Sequence, residues 1–150
     1  MTRESIYAAV FAFWQSLTIG GTPAFKTATR KAQAWDGVAP EDTPALLQMQ
    51  VSEEAVYRKG LPTIWKLKVK LLVYVHTGAQ NDPALIPSII FNPLVDAVVD
   101  ALVIDDPINN ACTLGGIVSH CAVEGVVEIF EGDLGDTAVV VIPLTILTSP

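Results

Sequence analysis

Trp65-Lys66-Leu67-Lys68-Val69-Lys70-Leu71-Leu72-Val73-Tyr74-Val75-His76 is the stretch whose reading decides the fold. In an extended chain, successive side chains point to opposite faces. Trp65, Leu67, Val69, Leu71, Val73 and Val75 therefore share one apolar face. The other face carries Lys66, Lys68 and Lys70, followed by Leu72, Tyr74 and His76. That alternation predicts a strand with one face in a core and the other partly in water. Upstream, Leu47, Met49 and Val51 alternate with Gln48, Gln50 and Ser52, which predicts a half-exposed strand. Arg58-Lys59-Gly60-Leu61-Pro62 separates the two with turn residues, so they are expected to pair as an antiparallel hairpin.

Working outward toward the C-terminus, Gly78 to Ser88 reads as a loop. Asn92-Pro93 is expected to open a helix, with Asn as cap and Pro at the first helical position. Leu94, Val95, Val98, Val99 and Leu102 would form its buried stripe. Asp96 and Asp100 would face solvent, and Asp106-Pro107 would stop it. After a tight turn at Thr113 to Gly116, Val118 to Glu131 reads as one long strand. Cys121, Val123, Val127 and Ile129 lie on one of its faces, Glu124 and Glu128 on the other. Gly132-Asp133-Leu134-Gly135-Asp136 is a hairpin turn into a last, almost wholly apolar strand, Thr137 to Thr148. Pro143 cannot donate to a ladder, so it predicts an edge strand or a bulge.

Toward the N-terminus, Thr2 is a cap and Glu4 suits a first helical turn. Ile6, Val10, Phe13, Trp14 and Leu17 keep helical spacing from Arg3 to Leu17, with Gly20-Gly21 and Pro23 as the stop. Tyr7 and Phe11 on the opposite side suggest burial against a neighbouring subunit as well. Phe25 to Gln33 reads as a polar strand. Ala34 to Ala45 is a loop, with Trp35-Asp36-Gly37, Pro40 and Pro44 as turn residues. The order α-β-β-β-α-β-β predicts a single α+β domain: a mostly antiparallel sheet of about five strands carrying two helices.

Charge is divided along the chain. Residues 1–70 hold all nine Lys/Arg against six Asp/Glu, a net of +3; residues 71–150 hold ten Asp/Glu and no Lys/Arg, a net of −10. If the halves form different surfaces, copies can attract head to tail. If strands from both halves share a sheet, the charges can mix instead. A sequence pI near 4.6 argues against a dedicated nucleic-acid binder, which needs cations to neutralise phosphate. The apolar run Ile6 to Trp14 is too short to span a bilayer, and Arg3 followed by Glu4 makes a poor secretory signal. Synthesis in the cytosol is the expectation. Two cysteines do not make a secreted disulfide framework.

Residues with chemical potential are scattered. Adjacent strand residues point to opposite faces, so His120 is badly placed to activate Cys121, which reads as a small core residue. His76, Cys112, His120 and Cys121 lack zinc-ligand spacing. A Cys112–Cys121 bridge stays open. Gly115-Gly116 leads into a strand and lacks a following Lys-Ser/Thr, so it reads as a turn rather than a phosphate loop. Asp105-Asp106 and Glu131-Gly132-Asp133 match no EF-hand and read as solvated loop ends. No catalytic residue, metal site or cofactor is expected. Lys66, Lys68 and Lys70 are expected to pair with carboxylates such as Glu124 and Glu128, in the same chain or a neighbour.

The stretch Cys112-Thr-Leu-Gly-Gly-Ile-Val-Ser-His-Cys-Ala-Val-Glu-Gly125 resembles the corresponding stretch of tailed-phage tail terminator proteins, also called minor tail or tail completion proteins. Asn92-Pro93-Leu94 through Asp96-Ala97-Val98 to Ala101-Leu102 resembles the family's preceding helix. Glu131-Gly-Asp-Leu-Gly135 and Ile142-Pro-Leu-Thr-Ile-Leu147 resemble its closing hairpin. The resemblance covers roughly residues 65–150; the N-terminal half agrees in element order. It implies a non-enzymatic virion protein, assembled in the host cytoplasm, that forms a hexameric ring at the head-proximal end of the tail. Such a ring stops tube polymerisation and docks neck or connector proteins, while DNA passes its lumen without specific binding. The expected partners are further copies of the chain, the tail tube protein and a neck protein, with no membrane. Trp35, Asp36 and Asp82, in the loops Trp35–Pro44 and Thr77–Ser88, join the lysine stripe, Glu124 and Glu128 as contact candidates. Three other readings compete: another head–tail connector, a soluble oligomer without a virion role, and an α+β enzyme or small-molecule binder. The last would need a pocket of converging polar groups.

Overall fold

The computed structural model describes residues 2–78, 86–132 and 135–149, and of Trp35 the backbone alone. Helix α1 (Arg3–Gln15) starts where Thr2 accepts the Ser5 N–H at 3.2 Å. Ile6, Tyr7, Val10 and Trp14 are buried, so Tyr7 belongs to the chain's own core. The helix ends at Ser16, earlier than Leu17, because the chain turns at once into a small hairpin, β1 (Thr18–Ile19) with β2 (Thr22–Pro23). Gly20-Gly21 form that hairpin's turn rather than the helix stop. Both have positive φ, 58° and 83°, which a two-residue hairpin turn asks for.

Only Thr27–Thr29 of the expected polar strand is extended (β3). It runs parallel to the start of β4 (Ala45–Val56), while Phe25 is drawn into the core. Between them lie two 3-10 turns, Trp35–Gly37 and Pro40–Asp42. β4 pairs antiparallel with β5 (Ile64–His76), from Ala45↔Tyr74 to Val56↔Ile64, with a register shift between Gln50 and Ser52. Leu67, Val69, Leu71, Val73 and Val75 are all buried, and the alternate lysines lie on the other face.

β5 also pairs with β8 (Thr137–Thr148), from Trp65↔Thr148 to His76↔Thr137. Beyond β8 lie β6 (His120–Val123) and β7 (Glu128–Phe130), both antiparallel to it. The sheet thus has six strands in the order β3-β4-β5-β8-β6, with β7 beside β6 on the same flank of β8. It is one strand larger than the expectation, because the single strand Val118–Glu131 is broken in two.

Pro143 explains the break and corrects the expectation of an edge. β8 is interior, not peripheral. The Glu124 N–H donates to the Pro143 carbonyl at 3.1 Å. In an extended residue the N–H and C=O sides coincide, so the N–H that proline lacks would face the same flank. The neighbouring strand leaves the ladder there, and Gly125 passes over the proline ring with φ 116°. A Cβ on Gly125 would lie 3.3 Å from Pro143 Cγ. The ladder with β5 is undisturbed because the missing N–H faces away from β5, where Lys70 stands opposite Pro143 as a non-hydrogen-bonded pair.

Helix α2 (Pro87–Ala101) starts at Pro87, with Asn92-Pro93 inside it rather than at its head. Its buried stripe is Phe91, Leu94 and Val98, with Val95 and Leu102 half-buried and Val99 turned outward. α1 and α2 cover one face of the sheet and enclose the main core. A second, small core lies on the other face, where Ala45, Leu47, Tyr74, Val139 and Val141 are covered by Val38 of the 34–45 loop. The Tyr74 hydroxyl ties that loop down by donating to the Gln33 carbonyl at 2.9 Å. β8 is buried on both faces for this reason, which is why it reads as a continuous apolar run. Among the described residues no helix is long and apolar enough to cross a membrane.

Candidate assembly surfaces

The lysine stripe lies on the outer sheet face, beyond the small core. Lys66 Nζ is 3.9 Å from Glu54 of β4. Lys68 Nζ donates to Thr145 Oγ1 at 2.7 Å and lies 3.6 Å from Glu124. β8 stands between β5 and β6, so Lys68 reaches Glu124 across a strand rather than from an adjacent one. The Thr145 hydroxyl and, after it, the Lys68 charge hold the Glu124 carboxyl below its ordinary range. Lys70 faces Pro143 and Met49 in register and forms no ion pair among the described residues. Glu128 stands opposite Val141 and pairs with no lysine among the described residues. Asp36 is exposed in the first 3-10 turn. The Trp35 side chain and all of Asp82 lie outside the described residues.

The His120-Cys121 pair has structural work. His120 Nδ1 accepts the Cys112 N–H at 3.0 Å, and the Cys121 N–H donates to the Cys112 carbonyl at 2.8 Å. Cys121 faces the main core opposite Ile146 while His120 lies on the other face. Both thiols are free and buried. Burial, then the nearby Cys112, pushes Cys121 up to about 12, and burial also raises Cys112. Both stay protonated, the opposite of an activated nucleophile. Asp105 accepts from the Thr113 N–H at 2.6 Å, the Thr113 hydroxyl at 2.9 Å and the Gly115 N–H at 2.8 Å. Asp106 accepts from the Ile108 and Asn109 N–H groups and the Asn109 side chain. These carboxylates staple loops, which no spacing rule in the sequence announces.

The sequence reading missed the contacts that hold α1 to the β4–β5 hairpin. Arg3 Nε donates to Glu53 at 2.6 Å, and its guanidinium sits 4.1 Å over the Trp65 ring. The Tyr7 hydroxyl donates to Glu53 at 3.0 Å; burial and that carboxylate raise its pKa. Arg30 grips Glu4 through two bonds of 2.6 and 3.2 Å. Partners so far apart in sequence leave no local signal.

Two surface features stand out against this frame. First, the sheet has open flanks. β3 covers only Ala45–Leu47 of β4; on the outer side of β6 the Cys112 carbonyl takes the Cys121 N–H, and no strand among the described residues covers the rest of β6 and β7. Unpaired ladder groups on such flanks are templates for another chain. Second, charge stays segregated although the halves interleave. Of the four ion pairs among the described residues, three join partners within residues 1–70, and only Lys68–Glu124 joins the halves. Asp96 and Asp100 line one cleft, and none of Asp96, Asp100, Asp105 and Asp106 joins an ion pair among the described residues. The hairpin turn beyond β4 carries the half-buried Arg58 and the exposed Lys59. No protein-family model matches the chain, and no curated protein is significantly similar to it.

Proposed function

We propose that the chain is a structural tail protein of a tailed phage, a terminator that closes into a ring at the head-proximal end of the tail tube. The ring, of six copies by the family resemblance, ends tube polymerisation and offers its free side to a neck protein. The observation that carries this reading is the segregated charge on a sheet with open flanks. A basic surface and an acidic surface on one subunit suit a heterologous contact, the kind that generates rings when its rotation closes. Acidic surface left over in the lumen lets DNA slide by like-charge repulsion. In this reading the loop around Trp35 and Asp36 contacts the tube or the neck.

The test is a mixture of the purified chain with tail tubes, viewed in negative stain beside a mass measurement in solution. A ring-sized cap at one tube end is the expected result. Rings that ignore tubes and seat instead on head portals would make the chain a neck connector. Tubes whose ends stay bare would overturn the terminator role.

A further inference from the structure

The turn between β4 and β5 is an exposed patch of mixed apolar and cationic character. Tyr57 is 78% and Leu61 59% exposed, with Arg58 and Lys59 between them. The Arg58 guanidinium donates to the Pro62 carbonyl at 2.8 Å and stiffens the tip. Lys59 is exposed and forms no ion pair among the described residues. A rigid, apolar and cationic knob of this kind asks for a groove with apolar walls and carboxylates.

Such a groove lies between the β1–β2 hairpin and α2. It is an open cleft of about 510 Å³, with Leu17, Ile19, Pro93 and Ala97 among its walls and Asp96 and Asp100 beside them. The two aspartates are four residues apart on one helix, a spacing that sets like charges side by side. Asp100 also sits in the last turn, where the helix dipole disfavours an anion and no basic residue compensates. The isolated subunit carries both penalties and gains nothing visible from either. A cation docked between the two carboxylates removes both.

The knob and the groove cannot meet within one chain. The Lys26 N–H bonds to the Pro44 carbonyl and the Ala24 N–H to the Leu17 carbonyl, so the β1–β2 hairpin sits at the Ala45 end of β4. The knob sits beyond Val56, at the other end. At 3.2–3.4 Å per residue the two ends of β4 are about 35 Å apart. We infer that the Tyr57–Leu61 knob of one subunit docks in the Asp96/Asp100 groove of a second copy of this chain. The contact is heterologous, so each subunit offers one knob and one groove. It deepens the ring reading above and rests on it for the expectation of self-association.

The experiment measures the mass of the full chain in solution against concentration, for the wild type, Lys59→Glu, Asp100→Lys and the two combined. Each single reversal is expected to weaken association at least about tenfold, and the combination in one chain to restore it. High salt is expected to weaken the wild type as well. Lys31→Glu, an exposed charge change away from both features, controls for net charge and should assemble like the wild type. Singles that assemble normally, a combination no better than the singles, or a wild type that stays monomeric would each overturn the contact. Capping of tail tubes is read on the same samples. Normal wild-type caps with unaffected variants would sink the contact and leave the terminator reading standing. Charge-sensitive oligomers that never cap tubes would do the reverse.

Discussion

At the scale of single residues, several carboxylates of this protein hold loops in place. Asp105 illustrates the point. Hydrogen bonds from the Thr113 and Gly115 backbone hold its carboxyl below the ordinary 3.8. A depressed carboxylate contributes stability above its unfolded pKa and loses it as pH falls through the folded one. Asp105→Asn should therefore lower the urea midpoint at neutral pH, and its gap from the wild type should narrow as pH drops below about 4. A gap independent of pH would mean that the charge of Asp105 contributes nothing. The cysteines show the complementary lesson. Alternation along Val118–Glu131 correctly assigned Cys121 to a buried face. It could not reveal that His120 accepts a backbone N–H from Cys112, since that bond depends on a return of the chain through the Thr113–Gly116 turn.

At the scale of elements, the strands and helices were legible to different degrees. β5 and its pairing with β4 followed from strict alternation and an intervening turn, both local properties. β8 has the bounds Thr137–Thr148 that its apolar run predicted. Its position did not follow. A proline usually removes a strand from the interior, yet here the gap falls on the neighbouring strand, between β6 and β7. The Gly125 crossover is the device that makes this possible. Gly125→Ala should destabilise the fold by about 1–3 kcal/mol, because a side chain there combines an unfavourable φ with the close Pro143 ring. Denaturant midpoints at constant slope would measure it, and an unchanged midpoint would remove Gly125 from this role. α2 was placed too late because Asn92-Pro93 looks like a helix start, whereas Pro87 takes the first turn and Pro93 is tolerated on the exposed side.

At the scale of the whole molecule, the sheet divides its outer face into an apolar end under the 34–45 loop and a cationic end with Lys66, Lys68 and Lys70. Val38 and the Gln33 carbonyl make that loop part of the fold, so deleting it would uncover a core as well as remove any partner contact. Two of the three lysines already have carboxylates of their own chain. Changing all three to Glu should therefore lower the denaturant midpoint only slightly, through like charges facing Glu54 and Glu124. Association of the folded chain should remain intact, in contrast to Lys59→Glu. A triple variant that folds normally but no longer assembles would move the subunit contact to this face. The sequence by itself determined the α+β class, the β4–β5 hairpin, the apolar extent of β8 and the division of charge, because periodicity and composition are local quantities. Only the tertiary structure decided that β8 lies inside the sheet, that Pro143 breaks its neighbour, and that the basic turn and the acidic cleft lie at opposite ends. Those outcomes depend on which flank of a strand each backbone group faces and on which distant segments share a face, and neither is encoded within any one stretch of chain.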